Sequence, residues 1–362
     1  MTSTAPARGG DRGEPAGVHA VRAALRGSEA ARRCERWIAE SRERVFDEPR
    51  QALAAACRAT EEAESLAPAD GEPAAVSDLR TEAWAYRGNA ERVVSDFDAA
   101  ETSFRTAWRH LAAGSGAPLL RARLCDLEAS LASARGNHEL ALERIDEAVG
   151  LCRAEGDSLL LGYSRVKQAF FLDGAGDPAA ALAALREGLA HLDPHSDLRT
   201  WVAAVHNLAR LLNLLGYTIA ARSLLRDLRP LHERLGDRVN LLRLEWLEAQ
   251  IDQGLGDAAR AERKLGWVRQ GFLDQEMAYD AALVSLDLAA LYAEQKRVFD
   301  LRDLALEMFP VFQSRRIHRE ALAALILFRE AISAGRADAA LIAEVRDFLL
   351  RARTDHRLRF RA

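Results

Sequence analysis

A small residue returns along this chain at an almost constant interval. Ala100, Ala141, Ala181, Ala221 and Ala261 are followed by Leu301 and Ala340, at steps of 41, 40, 40, 40, 40 and 39 residues. A fixed period of this length marks stacked supersecondary units, none of which buries its apolar face alone. A turn position stands five residues before each: Ser95, Gly136, Gly176, Gly216, Gly256, Lys296 and Gly335. Seven residues before each turn lies a second small residue: Gly88, Ala129, Ala169, Ala209, Ala249 and Ala289. Phe328 takes that place in the last unit, so the pattern decays toward the C-terminus.

Each unit reads as two amphipathic helices joined by a tight turn. Glycine suits the turn because the residue after a helix end favours a left-handed backbone. The recurring alanines mark the helix crossings, where only a small side chain lets two backbones approach. Large apolar residues follow at helical spacing, at Phe104, Ile145, Leu185, Leu225 and Leu265. The spacing predicts an all-α chain, about 75–80% helical and without strands. Helical pairs are expected at 29–66, 79–113, 118–153, 157–192, 197–235, 238–273, 277–314 and 317–354. In the first pair Pro49 opens the second helix. The segment APADGEPAAV then reads as a loop. The last helix, with Arg346, Asp347, Arg351 and Arg353, is expected to be a solvating cap. Residues 1–28 are expected to be a disordered tail rich in Ala, Gly, Pro and Arg, and 355–362 a second tail around a solenoid at 29–354.

Composition narrows the function classes. The formal net charge is -4, which gives no chain-wide cationic footprint for nucleic acid or anionic lipid. No uninterrupted apolar run reaches the length of a membrane span, and no secretory apolar region opens the chain; the expected location is cytoplasmic. Cys34, Cys57, Cys125 and Cys152 form no C-x-x-C and lie inside helical patterns, as reduced, mostly buried thiols would.

The units resemble the tetratricopeptide repeat. The likeness is carried by Trp84, Gly88, Asp96, Ala100, Phe104 and Ala107 in one unit. Elsewhere Gly136-Asn137…Ala141…Ala148, Gly176-Asp177…Ala181 and Gly256-Asp257…Ala261 carry it. The family unit is about 34 residues long, so a period near 40 implies longer helices. The resemblance implies a right-handed superhelical solenoid of about eight pairs, with a concave groove lined by the first helix of each pair. It implies a protein- or peptide-binding scaffold or regulatory module. An alternative is the sensor subunit of a bacterial regulatory system, binding a peptide or small molecule.

No catalytic signature stands in the chain: no phosphate loop, zinc helix or nucleophile elbow. The expectation is therefore a protein that is not an enzyme, with no cofactor and no metal. His191 and His195 stand four apart, but Pro194 between them argues against a shared helix. By resemblance the inward positions include Glu82, Asn89, Arg92, Arg123, Asp126, Ser130, Val166, Asp173, Ala203, Arg243 and Gln253. The candidate peptide groove is Tyr163, Phe170, His206, Arg210, Asn213, Trp246 and Gln250. Trp246, Tyr163 and Phe170 would be apolar anchors, Arg210 a carboxylate partner, and His206, Asn207 and Asn213 hydrogen-bonding groups. Basic residues and asparagines do not recur at the positions a carboxylate clamp of chaperone-binding members would need. The partner is expected to be a protein or peptide, without direct nucleic-acid or membrane contact.

Overall fold

The computed structural model describes residues 25, 28–67, 70–314, 319–333, 335 and 339–352. Residues 1–24, 26 and 27 of the tail expected at 1–28, and the tail expected at 355–362, lie outside these residues. Leu25 and Ser28, assigned to the tail by sequence, pack on the first helix. Leu25 is buried, and Ser28 accepts from the Ala31 amide and donates to Asp70.

Sixteen helices are described. They are α1 (Glu29–Arg44), α2 (Pro49–Ser65), α3 (Pro73–Val93), α4 (Phe97–Ala112), α5 (Pro118–Ala134), α6 (His138–Glu155), α7 (Ser158–Gly174), α8 (Pro178–Ala190), α9 (Leu198–Leu214), α10 (Thr218–Leu235), α11 (Arg238–Gly254), α12 (Ala258–Asp274), α13 (Ala278–Glu294), α14 (Val298–Ser314), α15 (Arg319–Ser333) and α16 (Ala339–Ala352). No strand occurs among the described residues. The loop expected at 67–76 is shorter than the sequence suggested. Pro73 opens α3, because its fixed φ suits the first helical turn and Ala75 and Val76 then find a core.

The turns follow local chemistry. Ser95, Gly136, Gly176, Gly216, Gly256, Lys296 and Gly335 all have positive φ, from 57° to 88°. At the six turns from Ser95 to Lys296 the next amide closes the helix end by bonding a carbonyl five residues back, as Asp177 does to Leu172 and Asp257 to Asp252. At four of these turns that same residue then caps the second helix. The side chains of Asp96, Asn137, Asp177 and Asp257 accept from the amide three residues on. One dipeptide thus stops one helix and starts another.

The chain divides into two compact units, one ending at Ala204 and one beginning at Val205, a boundary inside α9. In the first unit successive helices pack as neighbours from α1 to α8, and the first helices α3 and α5 also touch. Ala100, Ala141 and Ala181 are fully buried at the crossings. A Cβ on Gly88 would sit 3.1 Å from the Phe104 ring. The second unit repeats the scheme through Ala221 and Ala261. There the last hairpin departs from expectation. Ile342, Val345, Phe348 and Leu349 are buried, and α16 packs against α13. Arg346, expected on a solvated side, donates from Nε to Asp287 of α13 at 2.7 Å. The helix is amphipathic, and its apolar stripe covers α13.

Candidate functional site

Tyr163, Lys167 and Phe170 lie at i, i+4 and i+7 of α7, so one face carries all three. Lys167 reaches from there to α5, where its Nζ donates to Asp126 Oδ2 at 2.6 Å. Arg92 of α3 joins the same neighbourhood. Its Nη2 donates to Asn89 Oδ1 at 2.9 Å, and Asp126 is the carboxylate that favours its charge. Burial nevertheless pulls the Arg92 guanidinium down to about 10. Burial also lowers Lys167, against the pull of Asp126 and with the push of Arg92 and Arg123. First helices α3 and α7 of the first unit therefore each hold a cation lowered by burial, which Asp126 of α5 only partly offsets. Tyr163 and Phe170 flank this cluster, both partly buried. The Tyr163 hydroxyl donates to Asp197, and the Phe170 ring packs edge-on to Phe171 at 5.8 Å.

The other five candidate residues belong to the second unit. Trp246 is not a groove anchor: it is 1% exposed. Its ring meets Phe272 of α12 at 5.8 Å, and its Nε1 donates to Asp287 of α13 at 2.7 Å. The position three residues before the crossing alanine faces the adjoining helices, and a large indole there is enclosed by them. His206 holds the same register and is also buried, its ring 5.6 Å from that of His232. Burial pulls His206 down to about 3, helped by His232, Arg210 and Arg243. Arg210 is 8% exposed and so is poorly placed as an accessible carboxylate partner. Asn213 and Gln250 are partly buried. Gln250 donates to the Asp287 carboxylate that Trp246 and Arg346 also use. The structure thus gathers Trp246 and Gln250 around Asp287 and sets His206 against His232.

Lys167 was missed by sequence reasoning. Its signal was Asp126, 41 residues earlier and thus one repeat away, where a carboxylate needs a cation. His191 and His195 share no helix, since α8 ends at Ala190; His191 Nδ1 instead contacts Ser158 Oγ at 2.8 Å. No described helix is long and apolar enough to cross a membrane.

No protein-family model matches the sequence, and no curated protein matches it either. Solved structures do share the fold. A Rap protein complexed with Competence and Sporulation Factor is 13% identical, with a TM-score of 0.65 over 90% of this chain and 87% of that one. The fold is that of a tetratricopeptide-type repeat protein. Aspartyl phosphate phosphatase F from Bacillus subtilis is also 13% identical, covering 78% of this chain and 71% of its own, with a TM-score of 0.57. BtubC (BKLC) from P. vanneervenii is 17% identical, covering 62% and 91%, with a TM-score of 0.52. At these identities the likeness concerns the repeat fold.

Proposed function

We propose that this repeat protein is a peptide-binding regulatory module whose first-helix face, on α3, α5 and α7, captures an extended protein segment. The observation that carries this reading is the desolvated cation cluster of Arg92 and Lys167 about Asp126, beside Tyr163 and Phe170. An incoming carboxylate would supply the charge that burial denies these cations, and the two rings offer apolar contact next to it. The similar Rap protein is held in a complex with a factor, which agrees with a binding role. The buried thiols support binding rather than thiol chemistry. Burial pushes Cys34 and Cys125 well up and Cys152 to about 11, so none is a ready nucleophile.

Site-specific photo-cross-linking tests the face. A benzophenone side chain at Tyr163 should trap a peptide segment from the native lysate. The same group at Trp267, exposed on α12, should not trap that segment. Equal trapping at both positions, or trapping at Trp267 alone, contradicts the assignment.

A further inference from the structure

A second charged site lies in the second unit, among α10, α11 and α12. It is a cavity of about 370 Å3, within the range of small-molecule sites. Leu225 and Ile251, each 1% exposed, form its apolar floor. Its wall carries five cations against three carboxylates.

The carboxylates are answered from inside the wall. Arg229 bonds Glu245 at 2.7 Å and Glu248 at 2.8 Å. Lys264 takes Glu248 at 2.6 Å and Asp252 at 3.0 Å, and Arg260 lies 3.3 Å from Asp252. Glu248 stays ionised, its carboxyl held low by Lys264 and Arg229 despite burial. Arg222 and Arg226 remain. They are exposed, one helical turn apart on α10, and neither has an ion pair among the described residues.

The repeat does not explain this pair. The positions of Arg222, Arg226 and Arg229 are Leu182, Arg186 and Leu189 in α8, and Glu262, Gly266 and Arg269 in α12. Three arginines on one helix face are particular to the fifth hairpin among these, and they border the cavity. Two guanidinium groups one helical turn apart border the same cavity, and each offers a planar set of donors there. That geometry suits the oxygens of a phosphoryl group better than a single carboxylate.

We propose that this cavity binds a phosphoryl group, with Arg222 and Arg226 as its principal donors and Leu225 and Ile251 beneath the rest of the ligand. The site is separate from the peptide face on α3, α5 and α7 and does not depend on it. The test is calorimetric titration of the full chain with inorganic phosphate and with phenyl phosphate at constant ionic strength. Saturable one-to-one binding is expected. R222Q combined with R226Q should weaken it at least tenfold, with an unchanged thermal melt because both side chains are exposed and unpaired. R92Q on the peptide face should leave it unaltered. Tighter binding of phenyl phosphate identifies a phosphate ester as the ligand, and equal binding identifies the free ion. Absence of saturable binding by either probe, or undiminished binding in the double variant, overturns the proposal.

Discussion

His206 and His232 face one another inside the fifth hairpin, and both are held below the ordinary histidine range chiefly by burial. The unfolded chain therefore binds these protons first. Stability conferred by neutral His206 is present above about pH 6.5 and is lost as pH falls from there toward about 3, its folded value. One such proton gives a slope near 1.4 kcal/mol per pH unit in that window. Denaturant unfolding of His206→Gln between pH 4 and 6.5 should show a slope shallower by about one proton than wild type. An unchanged slope would show that His206 is protonated in the fold. Trp246 gives a second residue-scale test. Its removal opens a cavity beside Phe272 and leaves Asp287 short of a donor, so Trp246→Ala should cost about 3–5 kcal/mol. Trp267→Ala, on an exposed ring, should stay within about 0.5 kcal/mol. The repeat register separates these two tryptophans: Trp246 stands three residues before Ala249, where the adjoining helices enclose it, and Trp267 two residues after the buried Leu265, on the outer side of α12.

The elements were legible because their ends are local. A glycine or its substitute followed by Asp or Asn fixes a hairpin turn within two residues, and the alanine five positions later fixes the crossing. Ala181 and Ala221 are fully buried, so Ala181→Leu and Ala221→Leu should each destabilise by about 1–3 kcal/mol, read as a lower denaturation midpoint. Lys296 does glycine's work at φ 57° with an exposed side chain. Lys296→Gly should relieve about 1 kcal/mol of left-handed strain and raise the midpoint. The side-chain partners of these elements were less legible. Lys167 and Asp126 are one repeat apart, and Arg346 and Asp287 are 59 residues apart. No spacing rule within a helix contains such pairs. The α16 helix was read as a cap from the charges on its polar side, and the pairing of Arg346 with Asp287 lay too far along the chain to be read.

At the scale of the molecule, the eight hairpins of the described residues divide into two compact units; buried clusters form around Phe104 and around Ile145 in the first unit, and around Trp246 and Phe328 in the second. Stability in repeat proteins is a sum of units and neighbouring interfaces. The first unit carries the face assigned to peptide capture. Calorimetric titration of the segment trapped at Tyr163 measures that assignment most directly, in wild type, Arg92→Gln and Lys167→Met, with a thermal melt of each. The account predicts a loss of affinity of about tenfold or more in each variant, near 1.4 kcal/mol, larger at low salt than at high salt. Wild-type affinity in both variants, with both still folded, would contradict it.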